Sequence, residues 1–144
     1  MLVSLGSDHR GYELKELIRR YLVSKGVKTI DKGTNSDESV DYPQYAQSVG
    51  KSVSSKESDF GIVICKTGIG VSIACNKVRG ARCAKVQSVD EAKMSRLHND
   101  ANVLALSSDI KIEDAIKIVD IFINTPFSNE ERHNRRVEMI DNVS

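Results

Sequence analysis

Apolar residues fall in five short runs of strand length, and longer amphipathic segments separate the runs. The runs predict strands at 1–5, 27–30, 60–65, 81–86 and 102–106. The segments between and after them predict helices at 12–25, 45–54, 71–76, 89–97, 112–123 and 130–140. Alternation of short apolar strands with amphipathic helices is typical of a parallel sheet covered on both faces. We therefore expect an α/β fold with a five-stranded parallel sheet.

Two residues mark predicted helix ends, and one helix has a predicted buried face. Gly26 follows the first helix at a C-cap position, and Pro126 follows the 112–123 helix. In the 89–97 helix the spacing assigns Ala92, Met94 and Leu97 to the side available for burial.

The composition fits one domain and excludes several classes of protein. The chain has 144 residues, of which 40% are hydrophobic, and this length can bury a core without disulfides. The net charge of +1 indicates no bulk attraction to nucleic acid or to a membrane surface, and no apolar run is long enough to span a bilayer. The N-terminus lacks the pattern of a signal peptide. Three cysteines without C-x-x-C spacing favour a reducing cytoplasm and argue against a metal knuckle.

The candidate chemistry lies at 60–78, where a predicted strand ends in Cys65. A turn with two glycines, 66–70, and a predicted helix follow directly. Unpaired N–H groups at such a turn bind anions, and the positive helix end together with Lys66 favours a thiolate. Cys65 is therefore a candidate catalytic thiolate, and the alternative is a small buried apolar residue. We assign Cys75 and Cys83 to the core.

The glycine turn does not match the common phosphate-binding motifs. A dinucleotide fingerprint needs a third glycine where this chain has Ile73, and the G-K-[ST] of a Walker loop is absent. A C-x5-R phosphatase needs arginine where this chain has Val71. The remaining chemistry is proton abstraction next to a carbonyl, with the loop stabilising an enediolate oxygen. A nucleotide-binding or flavodoxin-like module is the alternative from spacing alone.

Other polar residues are expected at the edges of the predicted sheet. Asp8 and His9 follow the first strand, so they should lie near Cys65, at the carboxyl edge where ligands bind. Asp8 could instead cap the first helix. His98 precedes the fifth strand and should lie at the other edge, unless a partner subunit brings it to the site. Arg132 and Arg136 share a helix face suited to a phosphate, or simply face solvent.

Together these segments resemble one known family over nearly the whole chain. The matching segments are 6–9 with Gly11, 31–34, 39–43, 64–65 with 67–70, 72–74 with 76–77, 98–105, and 132–133 with 136–137. The sequence resembles type B ribose-5-phosphate isomerase, in the family that also includes the galactose-6-phosphate isomerase subunits.

The resemblance implies a single Rossmann-like α/β/α domain over 1–144 that interconverts ribose 5-phosphate and ribulose 5-phosphate without a cofactor or metal. It implies a homodimer, possible pairing into tetramers, and a C-terminal helix, about 130–141, that packs on the partner. It implies Cys65 as the base, because the glutamate that some members use is here Val71. It also implies Thr67 at the site, with an oxyanion hole formed by the N–H groups of Gly68, Ile69, Gly70, Val71 and Ser72. His98 of the partner subunit, with Asp8, would open the sugar ring. The residues implied for substrate binding are Asn99, Tyr42, Lys66, His9, Arg132 and Arg136.

Three departures from the family pattern surround the expected phosphate site. Lys66 replaces a glycine, Asp109 stands where an arginine is usual, and Glu130-Glu131 replace a glycine pair. We expect an intact base and scaffold with weakened phosphate binding. The alternatives are an isomerase of allose or galactose 6-phosphate, and a member that binds sugar phosphate without turnover.

Overall fold

The computed structural model describes residues 1–143, and its centre is one parallel sheet. The strands are β1 (Leu2–Ser7), β2 (Lys28–Asp31), β3 (Phe60–Cys65), β4 (Cys83–Lys85) and β5 (Val103–Ser107). They are hydrogen-bonded in the order β2-β1-β3-β5-β4, and every pair is parallel. The predicted five-stranded parallel sheet is confirmed, although β1 and β5 end later than the apolar runs because Ser7 and Ser107 continue the ladder.

Six helices surround the sheet. They are α1 (Tyr12–Ser24), α2 (Tyr42–Ser54), α3 (Ile69–Asn76), α4 (Val89–Asn99), α5 (Ile112–Asn124) and α6 (Glu131–Asp141). One apolar cluster joins one sheet face to α1, α4 and α5, and a second joins the other face to α2 and α3. The chain is therefore the predicted α/β/α sandwich, and α6 lies outside the layers against α4.

Helix boundaries and one buried face differ from the prediction. Helix α2 begins at Tyr42 because Pro43 lies in the first turn, where proline fits without losing a hydrogen bond. The expected burial of Met94 is wrong, since this residue is 43% exposed. Helix α4 instead buries Ala92, Ser95 and Arg96, which share a face at i, i+3 and i+4.

The strand order places a switch point between β1 and β3. The chain leaves β1 towards β2 on one side, and it leaves β3 towards β4 on the other. The loops that follow β1 and β3 therefore diverge at the carboxyl edge of the sheet and leave a crevice between them, which is where open α/β sheets bind ligands. Among residues 1–143, no helix combines the length and apolar character needed to cross a membrane.

Candidate active site

The loops after β1 and β3 are joined closely at this crevice. The N–H of Asp8 donates to the Ile64 carbonyl at 3.3 Å. A Cβ on Gly11 would lie 2.7 Å from the same carbonyl oxygen, so only glycine fits there. Asp8 Oδ1 accepts hydrogen bonds from the N–H groups of Arg10 and Gly11, both at 3.0 Å. The Asp8 carboxylate thus shapes the turn before α1, while the N-cap position itself is Gly11.

Cys65 is the last residue of β3 and is only 5% exposed. It belongs to the apolar cluster that joins the sheet to α2 and α3. The chain turns sharply at Gly68, whose φ of 77° lies in the left-handed region and whose Cβ would approach the Leu106 backbone to 3.0 Å. This turn starts α3 four residues after the cysteine, so the helix N-terminus lies next to the thiol-bearing strand end.

The N–H groups predicted to bind an anion are only partly free. Ile69 N–H donates to Thr67 Oγ1 at 3.1 Å, and Ser72 N–H donates to the Gly68 carbonyl at 3.3 Å. Those of Gly68, Gly70 and Val71 have no acceptor within residues 1–143. Three N–H groups at the start of α3 can therefore bind an oxyanion.

Tyr42 and His9 line the same crevice from two other segments. A Cβ on Gly70 would lie 2.5 Å from Tyr42 Cζ, so the tyrosine ring covers the start of α3. His9 Nδ1 accepts a hydrogen bond from the Val40 N–H at 3.1 Å. A nitrogen that accepts carries no proton, so in this arrangement the ring proton of His9 lies on Nε2, which has no partner within residues 1–143. The sequence did not reveal the role of Val40, because any residue except proline has a backbone N–H and the residue type therefore does not indicate which one donates.

Two of the three departures from the family pattern face each other. Lys66 Nζ lies 4.0 Å from Asp109 Oδ2, and both side chains are largely exposed. Ser107 brings the two loops together, because its hydroxyl donates to the Lys66 carbonyl at 2.7 Å and accepts from the Asp109 N–H at 3.1 Å. The carboxylate near the anion site is therefore accompanied by a cation.

The remaining predicted site residues lie at the opposite edge of the sheet. His98 and Asn99 end α4, shortly before β5 begins, whereas Cys65 pairs with the last residue of β5. The length of β5 alone separates the two edges by about 13 Å. Arg132 and Arg136 are exposed on α6, which packs against α4, and Arg132 lies 3.2 Å from Glu130. One chain thus contains two separate groups of candidate residues.

A buried arginine that the sequence did not reveal holds the segment after His98. Arg96 is 7% exposed and donates from Nε to the Thr125 carbonyl and from Nη1 to Asp100 Oδ1, at 3.0 and 2.9 Å. Asp100 has a positive φ of 45°, and its backbone N–H caps α4. The only sequence signal was the i, i+4 spacing of Arg96 and Asp100.

His133 is a second residue that sequence reasoning missed. It is 5% exposed, its ring lies 4.5 Å from that of His98, and its Nδ1 lies 2.7 Å from Ser128 Oγ. Burial lowers the pKa of His133, and the nearby His98 and Arg132 act in the same direction. The matching segment 132–133 contained it, but nothing in the sequence showed that it is buried. Within residues 1–143, no three His, Cys, Asp or Glu side chains cluster as metal ligands do.

Comparisons with known proteins agree on one family. The model of the ribose/galactose isomerase family matches residues 3–140. Ribose-5-phosphate isomerase B of Escherichia coli is 45% identical over 139 residues, which cover 96% of this chain and 93% of the relative. A ribose 5-phosphate isomerase structure from Thermotoga maritima superposes with a TM-score of 0.95 at 48% identity and covers 99% of this chain and 98% of its own.

A third comparison concerns a structure with a ligand. Ribose-5-phosphate isomerase B from Mycoplasma genitalium, with bound ribulose-5-phosphate, superposes with a TM-score of 0.92 at 40% identity and covers 97% of this chain and 93% of its own. The resemblance inferred from the sequence motifs is confirmed over nearly the full length. The chain is therefore an enzyme of the ribose/galactose isomerase family.

Proposed function

We propose that this protein interconverts ribose 5-phosphate and ribulose 5-phosphate, with the Cys65 thiolate as the base. The observation that carries the proposal is the position of Cys65 at the end of β3, beside the N–H groups of Gly68, Gly70 and Val71, which have no acceptor within residues 1–143. A base next to an oxyanion site is what aldose–ketose isomerisation requires. The family membership and the activity named for the E. coli relative support the same reaction.

The reaction needs no redox partner. The Cys65 thiolate removes the proton from C2 of the open-chain aldose, and the electron pair moves through C1 to the carbonyl oxygen. The three N–H groups stabilise the negative oxygen of the resulting cis-enediolate. The thiol then returns the proton to C1, while the proton of the C2 hydroxyl moves to the C1 oxygen. The aldehyde becomes a hydroxymethyl group and the C2 alcohol becomes a ketone, so atoms and electrons balance.

Residues around the crevice supply binding. His9 donates its Nε2–H to the phosphate, and Tyr42 forms one wall of the pocket over Gly70. Thr67 supports the thiolate, and its oxygen also fixes the loop through the Ile69 N–H.

A second copy of the chain supplies the other half of the site. His98 of the partner subunit, with Asp8, opens the furanose ring, and Asn99 of the partner subunit contacts the sugar oxygens. Arg132 and Arg136 of the partner subunit hold the phosphate. The separation of the two groups within one chain supports this arrangement, since neither group alone both binds and converts the substrate. Exposed Ile69 and Ile73 on α3 offer apolar surface for the contact.

The first experiment measures ketose formation from ribose 5-phosphate by the wild type and Cys65→Ala. Removing the base should lower kcat by about 10²–10⁴-fold. Cys75→Ala is the matched control, because this buried cysteine lies near the C-terminal end of α3, away from the glycine turn. Wild-type turnover in Cys65→Ala would contradict the thiolate mechanism and leave the isomerase reaction open to another base.

A second candidate substrate class follows from the Lys66–Asp109 pair. An arginine is usual at position 109 in the family, whereas this chain has a cation, Lys66, and an anion, Asp109, at the mouth of the crevice. This difference in charge can select a different aldose phosphate. Allose 6-phosphate and galactose 6-phosphate should be tested beside ribose 5-phosphate. Faster turnover of a hexose phosphate would reassign the substrate, and tight binding without any turnover would indicate a non-catalytic member. The cytoplasmic location and the absence of a cofactor stay predictions.

A further inference from the structure

His133 is buried beside an exposed histidine to which the proposed function gives a catalytic role. The two rings are 4.5 Å apart between centroids and inclined by 37°, so His133 packs against one side of His98. His133 and Val137 form the buried side of α6, and α6 contacts α4 near its C-terminal end. The only described side chain that places a polar atom within hydrogen-bond distance of the His133 ring is Ser128.

Ser128 connects the His133 ring to the backbone of neighbouring segments. Ser128 Oγ accepts a hydrogen bond from the Glu130 N–H at 3.2 Å, and it shares a second hydrogen bond of 2.7 Å with His133 Nδ1, in which either atom can be the donor. The Ser128 N–H donates to the Leu97 carbonyl at 3.2 Å, next to His98 in sequence. The same serine therefore ties the histidine of α6 to the end of α4.

Burial and charge favour the neutral form of this imidazole. Desolvation lowers the pKa of His133. His98 on α4 and the guanidinium groups of Arg132 and Arg136 on α6 lower this pKa further, whereas Glu130 raises it. Glu130 Oε2 lies 3.9 Å away, on the Nδ1 side, which Ser128 already occupies. A neutral ring can pack against His98 whether His98 carries a proton or not, which suits a support for a group that gains and loses protons.

We infer that His133, held by Ser128, is a positioning residue that orients the His98 ring for opening the sugar ring. The inference rests on the proposed function and deepens it. An exposed histidine at a helix end samples several rotamers, and a fixed neighbour on one face removes this freedom. The side chain that orients a functional histidine usually affects activity strongly although it does not contact substrate.

The kinetic test separates ring opening from proton transfer. A ketopentose with a phosphorylated 5-hydroxyl cannot close a furanose ring, so deuterium exchange from D₂O into C1 of ribulose 5-phosphate needs the base but not ring opening. Ser128→Ala and His133→Phe should lower kcat for ribose 5-phosphate on the order of ten-fold. KM and the deuterium exchange should change little, and Ser128→Thr, which keeps the hydroxyl, should restore kcat.

Ser88→Ala is the matched control for helix stability. Ser88 caps the start of α4 by accepting from the Glu91 N–H at 3.1 Å, so its removal weakens the same helix from the end far from His98. We expect Ser88→Ala to leave the ratio of the two reactions unchanged. Full activity of His133→Phe, or an equal effect of Ser88→Ala and Ser128→Ala, would overturn the inference.

Nuclear magnetic resonance tests the same geometry without turnover. Long-range ¹H–¹⁵N spectra of the wild type should show His133 in a single tautomer, and Ser128→Ala should give a mixture of tautomers. If the wild type catalyses neither reaction, the proposed function fails and these spectra alone decide the inference. Unchanged His133 signals in Ser128→Ala would then overturn it.

Discussion

At the residue scale, Lys66 and Asp109 place opposite charges beside each other at the anion site. Lys66 and Asp109 are two of the three departures from the family pattern that together predict weaker phosphate binding. The structure places Lys66 Nζ 4.0 Å from Asp109 Oδ2, so the lysine offsets the repulsion that the carboxylate exerts on a phosphate. The two substitutions therefore have to be considered together.

Lys66→Ala should raise KM for ribose 5-phosphate, and Asp109→Ala should lower it. Because both side chains are exposed, each change should be about two- to five-fold, and the coupling measured in the double variant should stay below about 1 kcal/mol. Steady-state kinetics at low and high salt measures this, since salt screens exposed charges. Lys77→Ala removes the same charge at the other end of α3 and serves as the control. Equal effects of Lys66→Ala and Lys77→Ala would show that only net charge matters.

At the scale of elements, the junction between β1, α1 and β3 determines where the site forms. Gly11 starts α1 and has no room for a side chain, because the end of β3 lies directly against it. Gly26, after the other end of α1, has a φ of 80° and open space around it. The two glycines of one helix are thus needed for different reasons.

Gly11→Ala should cost about 3 kcal/mol of unfolding free energy, since the new Cβ would meet a backbone carbonyl that cannot move aside. Gly26→Ala should cost about 1 kcal/mol, from the left-handed backbone alone. Only Gly11→Ala should also reduce isomerase activity, because it displaces the turn that Asp8 holds. Denaturant unfolding and turnover of both variants test this, and equal losses of stability would contradict the packing argument.

The docking of α6 onto α4 should depend on pH. Burial lowers the pKa of His133 from its ordinary value of 6.5, so the folded protein favours the neutral ring. At a pH above the ordinary pKa of 6.5, the contribution of the neutral His133 ring to stability is fully present. As the pH falls below it, the unfolded chain binds the proton more readily than the folded chain, and stability is lost.

The wild type should therefore lose more thermal stability than His133→Phe between about pH 8 and about pH 5. Phenylalanine fills a similar volume but has no proton to bind, so the difference between the two melting curves reports on this group. Parallel melting temperatures of the two proteins across this range would contradict a neutral, buried His133.

At the scale of the whole molecule, the proposed function requires two chains, because Cys65 and His98 lie at opposite edges of the sheet. Cys65→Ala and His98→Asn should each be inactive alone, because every site in either homodimer lacks one group. In a mixed dimer one site carries both substitutions and the other carries neither. After subunit exchange at equal concentrations, about a quarter of the sites should be intact and turnover should return. Light scattering establishes the dimer, and failure to regain activity in exchanged mixtures would place both groups in one chain.

The architecture could be predicted from the sequence because it depends on patterns close together along the chain. Apolar runs of four to six residues and helices with a repeat near 3.6 gave the correct elements, and the parallel sheet followed from their alternation. The carboxyl edge then had to contain the residues that follow β1 and β3. This was enough to place Asp8, His9 and Cys65 near one another.

The sequence by itself thus determined the layers, the edge with the candidate base and the family, since each depends on local pattern or motif. Only the tertiary structure decided which polar groups are buried, because their partners come from distant segments. Lys15 lies on the sheet-facing side of α1 with no exposed surface, and its Nζ is 2.6 Å from Asp31 on β2. In the same way, Val40 donates to His9 and His133 packs against His98 through contacts that no spacing along the chain encodes.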